Sequence, residues 1–306
     1  MLHAHHSIAK LTCTAALAIV VSLAAGAHAA EARLLVGIAD NGARMFTSPL
    51  FKRAHFNSAR DQVPWNVAIT RDKTGAVGIW IDSAILDHVT PMISFTAAPG
   101  KASGRAPKLA QYRRAVRAFT DTFPVVKVYS AWNEPDFIYN VLARHPKLAA
   151  GYYNTLVSVC HGCTVVAGDV YRPATDGLAR WVKRYARYLK SAPKAWALHP
   201  YDDVRGHTTA AIRAFERVTR GPIWLDEIAG VERRQKWPFS NQSPARANRD
   251  ERFLFSLPTR FGRIRRIYHY QWQADAAATW DSALLNQGGK PRPAYWTVFD
   301  AIRGRR

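Results

Sequence analysis

The sequence has 306 residues, 48% of them hydrophobic, and a formal net charge of +21 at pH 7. The positive charges are dispersed along predicted helices, which argues against a specific nucleic-acid partner. No Gly/Ser or Pro linker and no low-complexity tract divides the chain, so one large domain is favoured over two small ones.

The N-terminus has the features of a secretory signal peptide. Lys10 precedes an apolar run from Leu11 to Ala25, and Ala27-His28-Ala29 fits a cleavage site. The run is too short to span a membrane comfortably, and no second run of this kind follows. We therefore expect residues 1–30 to be removed and residues 31–306 to form a secreted, monomeric, single-domain protein.

Cys160 and Cys163 form a Cys-x-x-Cys motif between a predicted helix and the strand after it. In an exported protein this motif most often forms a local disulfide, which we predict here. A redox pair would open a helix after a strand, the reverse of this order. A zinc site needs more ligands than His161 alone supplies.

Short apolar runs alternate with longer amphipathic runs along the chain, as in repeated βα units. The predicted strands are Leu34–Ala39, Ala59–Trp65, Thr90–Phe95, Val126–Trp132, Thr164–Gly168, Ala195–His199, Pro222–Asp226 and Arg266–Trp272. The predicted helices are Pro49–Arg53, Thr74–Asp87, Lys108–Thr122, Pro146–Val159, Leu178–Ser191, Thr208–Val218, Pro244–Leu257 and Pro293–Ile302. Eight such units predict an α/β fold, the (β/α)8 TIM barrel. A doubly wound sheet is the alternative, but GIADNG at its first turn lacks the G-x-G-x-x-G pattern.

Polar and aromatic residues collect at the C-terminal ends of the predicted strands, which meet at one mouth in a barrel. They are Trp132, Asn133, Glu134, His199, Tyr201, Glu227 and Trp272, and strand two, which runs from Arg60 to Trp65, adds Arg60. Trp rings stack on the apolar faces of sugars, and Asn, His and Arg bind sugar hydroxyls. These residue types therefore indicate a carbohydrate site.

Two of these residues, Glu134 and Glu227, are carboxylates, and glycoside hydrolysis requires such a pair. We expect Glu227, beside Arg60 and the Tyr201 hydroxyl, to stay ionised, and Glu134, in an apolar rim, to hold its proton longer. Pro135 ends the strand and biases Glu134 toward an extended backbone. Asp226 competes with Glu227, but strand alternation allows only one of the two to face the mouth.

These features resemble the clan A glycoside hydrolases, retaining barrel enzymes that include cellulase-like and β-xylosidase-like members. The resemblance lies in Asn-Glu-Pro at the end of strand four, His-x-Tyr after strand six and Glu at the end of strand seven. It implies that Glu134 is the acid/base and Glu227 the nucleophile. For substrate binding, it implies roles for Asn133 at the sugar 2-hydroxyl and for Trp272 under the sugar beside the cleaved bond. It also implies that Tyr201 and Arg60 adjoin the nucleophile.

We therefore predict a secreted retaining glycoside hydrolase that cleaves β-linked glycans by double displacement. No cofactor is implied, and His199 with Asp202 and Asp203 is more typical of a structural group than of a metal site. Trp237 and Phe239 are expected to wall the cleft. Two alternatives remain open: a catalytically inactive carbohydrate-binding barrel, and a basic cell-surface protein that binds anionic polymers.

Overall fold

The computed structural model describes residues 34–70, 74–99, 104–171, 176–235 and 242–304. The predicted signal peptide and the residues Trp237 and Phe239 lie outside these ranges. The strands are β1 (Leu35–Ala39), β2 (Ser58–Pro64), β3 (Thr90–Thr96), β4 (Val128–Ser130), β5 (Thr164–Val170), β6 (Trp196–Leu198), β7 (Ile223–Ile228), β8 (Arg233–Arg234), β9 (Ile264–Tyr270) and β10 (Trp280–Asp281).

Eight of these strands close into a parallel barrel in the order β1-β2-β3-β4-β5-β6-β7-β9, and β8 pairs antiparallel with β10. The helices are α1 (Pro49–Ala54), α2 (Thr74–Leu86), α3 (Leu109–Thr122), α4 (Pro146–Val159), α5 (Asp176–Ala186), α6 (Tyr201–Gly206), α7 (Ala210–Glu216), α8 (Pro244–Arg260) and α9 (Pro293–Ile302). Short 3-10 helices span Ala43–Thr47 and Val67–Ile69. The predicted (β/α)8 TIM barrel is confirmed.

Two apolar clusters hold the barrel together. The larger one fills the space between the sheet and the surrounding helices. The smaller one lies inside the barrel and consists of Ala39, Met92, Val128, Val166, Ala195, Ala197, Trp224 and Tyr268. This interior layer is a packed floor, so the polar residues nearer the C-terminal ends of the strands sit above it and below the mouth.

Cys160 follows the last residue of α4, and Cys163 directly precedes β5. Their sulfur atoms lie at bonding distance, as the predicted disulfide requires. Among the described residues, no helix is both long and apolar enough to cross a lipid bilayer.

Gly37 in β1 has no room for a side chain, because a Cβ atom would lie 2.6 Å from Ser58 Oγ and 2.7 Å from a Tyr268 ring carbon. We expect Gly37→Ala to lower the free energy of unfolding by about 1–3 kcal/mol through overpacking. Gly78→Ala in α2 is the matched control, because its Cβ would meet Phe123 at an ordinary 3.6 Å. This control should be neutral or stabilising by about 0.5–1 kcal/mol. Equal thermal unfolding midpoints for the two variants would contradict this account of the barrel packing.

Candidate active site

Arg60 of β2 lies at the centre of the candidate site, buried among groups from three other strands. Its Nη1 donates to Glu227 Oε2 at 2.8 Å, and its Nη2 donates to Asn133 Oδ1 at 2.7 Å and to Asp169 Oδ1 at 3.2 Å. The guanidinium group thus joins the ends of β2, β4, β5 and β7. Because the side chain is fully buried, it supports these groups from below and does not reach the open mouth.

Glu227 of β7 is held by donors on both sides of its carboxylate. Oε2 accepts from Arg60 and from Gln62 Nε2, and the Tyr201 hydroxyl lies 3.5 Å from Oε1. Burial raises the pKa of Glu227, while the positive charges of His199 and Arg60 oppose this shift. The net effect is a raised pKa, so these donors fix the orientation of the carboxylate and offset only part of the effect of burial.

Asp226 also faces the barrel interior, so strand alternation does not send the two acids to opposite faces, although only Glu227 reaches the mouth, as expected. Its Oδ2 lies 3.7 Å from Arg60 Nε, beside the contact that Glu227 makes with the same guanidinium. The register between β7 and β9 shifts between Leu225 and Ile228, which is a β-bulge. A bulge interrupts the alternation of side chains. Asp226 is fully buried, whereas Glu227 borders the mouth.

Glu134 adopts a left-handed backbone with φ of 45°, so the expected extended conformation was also wrong. Its N–H donates to the Asp169 carbonyl at 2.8 Å, and its own carbonyl accepts from Phe137 N at 3.1 Å. These two bonds define a turn that overrides the local preference of a residue before proline. The side chain is 19% exposed and therefore accessible from the mouth.

His199 lies beneath Glu134 and cannot contact a substrate directly, contrary to the predicted binding role, because it is fully buried. Its Nδ1 is 3.0 Å from Glu134 Oε1, and its Nε2 is 2.6 Å from Asp169 Oδ1 and 3.3 Å from Asp226 Oδ1. Burial by itself would lower the pKa of His199, but the carboxylates, Asp169 above all, raise it well above the usual value. The imidazolium is thus a second buried cation.

Asn133 and Tyr201 lie at the mouth, as the sequence predicted. Asn133 accepts from Arg60 through its Oδ1, which leaves its amide hydrogens oriented away from the guanidinium. Tyr201 is the first residue of α6, a short helix that the sequence pattern did not predict. Its hydroxyl is the group that approaches Glu227 Oε1.

The two tryptophans predicted to bind sugar, Trp132 and Trp272, lie in the core instead, with 2% and 3% of their surface exposed. Trp132 stacks on Tyr152 at 5.3 Å and donates from Nε1 to Asn140 Oδ1. Trp272 meets Phe51 edge to face at 5.4 Å. Both lie two residues past the last paired residue of their strands and pack against residues of the helical layer, so strand alternation no longer sets their direction.

Sequence reasoning missed three residues that complete the site, Gln62, Asp169 and Tyr270. Asp169 accepts hydrogen bonds from Ser94 Oγ at 2.7 Å and from Ser130 Oγ. Gly168, with φ of 94°, marks a bulge in β5 and was the signal that could have revealed Asp169. Tyr270 ends the eighth barrel strand, and burial together with the charge of Glu227 raises the pKa of its phenol.

Within the part of the chain that the structure describes, two groups of side chains have metal-ligand chemistry: Glu134, His199 and Glu227, and Asp169, His199 and Asp226. Within each group the ligand atoms lie within 4.8 Å of one another. His199 belongs to both groups, and its two ring nitrogens already contact Glu134 and Asp169. Arg60 already supplies positive charge to these acids, so the arrangement fits an ion-pair network better than a metal centre.

Residues 106–297, more than half of the sequence, match the model of the glycosyl hydrolase catalytic core, and the chain belongs to this family. Together with the barrel fold, this confirms the resemblance to clan A glycoside hydrolases. A search of curated proteins found no match.

Solved structures of glycoside hydrolases share the fold at low sequence identity. A family 39 glycoside hydrolase from Bacteroides cellulosilyticus WH2 has a TM-score of 0.62 and 14% identity over 89% of this chain, which spans 64% of that protein. Xylanase 10B from Thermotoga maritima has a TM-score of 0.62 and 11% identity. The match covers 90% of this chain and 96% of the xylanase chain. A GH128 endo-beta-1,3-glucanase from Amycolatopsis mediterranei, in complex with laminaripentaose, has a TM-score of 0.53 and 17% identity. The match covers 88% of this chain and 99% of the glucanase chain.

The raised pKa of His199 gives the folded state a definite pH dependence. Below about pH 6.5 both the folded and the unfolded chain carry this proton, so its stabilisation is fully present. Above that pH the unfolded chain loses the proton first, and stability falls by up to about 1.4 kcal/mol per pH unit until the folded pKa is passed.

We expect denaturant titrations above neutral pH to show this slope in the wild type and to lose it in His199→Gln. The control variant His161→Gln, which changes an exposed histidine, should keep the pH slope of the wild type. An unchanged slope in His199→Gln would contradict the raised pKa of His199.

Proposed function

We propose that this protein is a secreted retaining glycoside hydrolase that cleaves β-glycosidic bonds, with Glu227 as nucleophile and Glu134 as acid/base. The observation that carries the proposal is the closeness of the two acids, because one carboxylate oxygen of Glu134 and one of Glu227 lie within 4.8 Å of each other. Retaining enzymes hold their carboxyl groups about 5–5.5 Å apart, whereas inverting enzymes need about 6.5–9.5 Å. The short separation supports double displacement over a single displacement by water.

The surroundings of Glu227 support its role as nucleophile. Arg60 and Gln62 both donate to Oε2 and the Tyr201 hydroxyl adjoins Oε1, so the carboxylate is held in place before substrate arrives. Such preorganised donors reduce the rearrangement needed when the anomeric carbon is attacked. Asp226 has the same charge but is fully buried, which favours Glu227.

The surroundings of Glu134 support its role as proton donor and later as base. Its side chain is the more exposed of the two and can exchange protons with water at the mouth. His199 Nδ1, 3.0 Å from Oε1, fixes the position of the carboxylate from below. Asn133, held by Arg60, precedes it and can donate to a sugar hydroxyl. The two roles thus belong to acids with different access to solvent.

The roles can be separated by removing each glutamate in turn. Glu134→Ala should slow hydrolysis of glycans about a hundred- to ten-thousandfold, because the leaving oxygen no longer receives a proton. It should still cleave a dinitrophenyl β-glycoside, whose leaving group needs no proton, and azide should restore its turnover and yield a β-glycosyl azide. Glu227→Ala should lose activity on every substrate, and azide should yield the α-glycosyl azide.

The substrates are dinitrophenyl β-glycosides of glucose, xylose and mannose and the matching β-linked pentasaccharides. Products are identified by NMR. Glu216→Ala is the control, because Glu216 ends α7 in the helical layer outside the barrel. If the two glutamate variants gave the same azide anomer, or if either kept the wild-type rate on glycans, the assigned roles would be wrong.

Export is the remaining part of the proposal. It is supported by the N-terminal sequence pattern and by the Cys160–Cys163 pair, which suits an oxidising compartment. N-terminal sequencing of protein recovered outside the cells should begin near residue 31.

A further inference from the structure

A row of four aromatic rings leads from the nucleophile along one side of the mouth. The centroids of Tyr201 and Tyr171 are 6.1 Å apart, those of Tyr171 and Phe137 are 5.5 Å apart, and those of Phe137 and Tyr139 are 5.4 Å apart. The rings come from the segments that follow β6, β5 and β4 in turn. The row therefore follows the rim of the mouth from the Tyr201–Glu227 contact toward Glu134.

The outer end of the row is open to solvent, yet its backbone is held in place. Tyr139 is 71% exposed, and Phe137 and Tyr171 are partly exposed. Tyr171 N donates to Asp136 Oδ1 at 2.8 Å, and Asn140 Nδ2 donates to the Asn133 carbonyl at 3.2 Å. Neighbouring rings meet at 57–80°, an arrangement in which aromatic pairs stabilise each other. Exposed aromatic rings on an anchored turn are typical of a ligand surface.

The chemistry of these rings fits sugars. Each sugar unit has an apolar face that an aromatic ring can cover, and the phenolic hydroxyls of the tyrosines can bind the hydroxyls at its rim.

The position of the row relative to Glu134 decides which part of a chain it would meet. A proton donor must stand beside the oxygen that leaves, so the leaving part of the substrate lies on the Glu134 side of the cleaved bond. The turn that carries Phe137 begins at Glu134 itself, because Phe137 N donates to the Glu134 carbonyl at 3.1 Å. The outer rings therefore adjoin the leaving-group side.

We propose that Tyr171, Phe137 and Tyr139 bind the sugar units on the leaving-group side of the cleaved bond, which makes the protein selective for glycan chains that continue well beyond that bond. This inference rests on the proposed function, because it takes Glu134 as the proton donor. It adds a preference that the two glutamates alone do not specify.

The test compares Phe137→Ala and Tyr139→Ala with the wild type on two substrates of the sugar accepted in the panel above. One substrate is the dinitrophenyl β-glycoside, which has no sugar on the leaving-group side, and the other is the β-linked pentasaccharide. We expect each variant to keep the wild-type kcat/KM on the glycoside and to lose roughly three- to tenfold on the pentasaccharide. Tyr188→Ala is the matched control, because Tyr188 is 45% exposed and lies beside Lys147 on the outside of the helical layer.

Each outcome bears on the inference separately from the proposed function. Equal losses on both substrates would place the rings on the other side of the cleaved bond and overturn the inference, while leaving the hydrolase proposal intact. An unchanged pentasaccharide rate, with thermal midpoints equal to that of the wild type, would also overturn it. A wild-type protein that hydrolyses no member of the panel would refute the proposed function, and the inference with it.

Discussion

The buried guanidinium of Arg60 is the interaction on which the rest of the site depends. It pairs with Glu227 and Asp169, adjoins Asp226 and orients Asn133, so residues far apart in sequence are fixed around one cation. Acids cannot be buried together without such a partner, because each unpaired charge in the interior costs several kcal/mol. The positive charge also explains how three carboxylates can approach one another above the apolar floor of the barrel.

The balance of charge in this cluster bears on its chemistry. Asp169, Asp226, Glu134 and Glu227 supply four carboxyl groups, whereas Arg60 and the protonated His199 supply two positive charges. Arg60 and His199 overcome the effect of burial and lower the pKa of Asp169, while burial raises the pKa values of Asp226 and Glu227. Such a surplus of acids favours the retention of protons within the group. Glycoside hydrolysis with retention needs one carboxyl that holds a proton and another that has lost it.

The sequence was sufficient for the barrel and for Asn133, Glu134, Tyr201 and Glu227 at its mouth. It was insufficient for the direction of side chains at strand bulges and past the paired ends of strands. α4 and α9 have the predicted bounds, since a proline at the first helical position marks each start. Gly168 was the one sign of the bulge in β5, and no residue marked the bulge in β7; the two bulges turn Asp169 and Asp226 inward. The side chains of Trp132 and Trp272 point toward the helical layer for a related reason. Each residue lies past the last paired residue of its strand, where packing against neighbouring rings decides the direction of the side chain.

The backbone around Glu134 connects the chemistry of the site with the shape of its entrance. The N–H of Glu134 is bound to the Asp169 carbonyl at the end of β5, and its carbonyl accepts from Phe137 in the next turn. The turn after β4 therefore sets both the position of the Glu134 carboxyl relative to His199 and the position of the exposed rings of Phe137 and Tyr139. A substitution that moved this turn would displace the proposed proton donor and the aromatic row together. The loop after β4 is thus constrained by the buried charge cluster on one side and exposes its outer rings to solvent on the other.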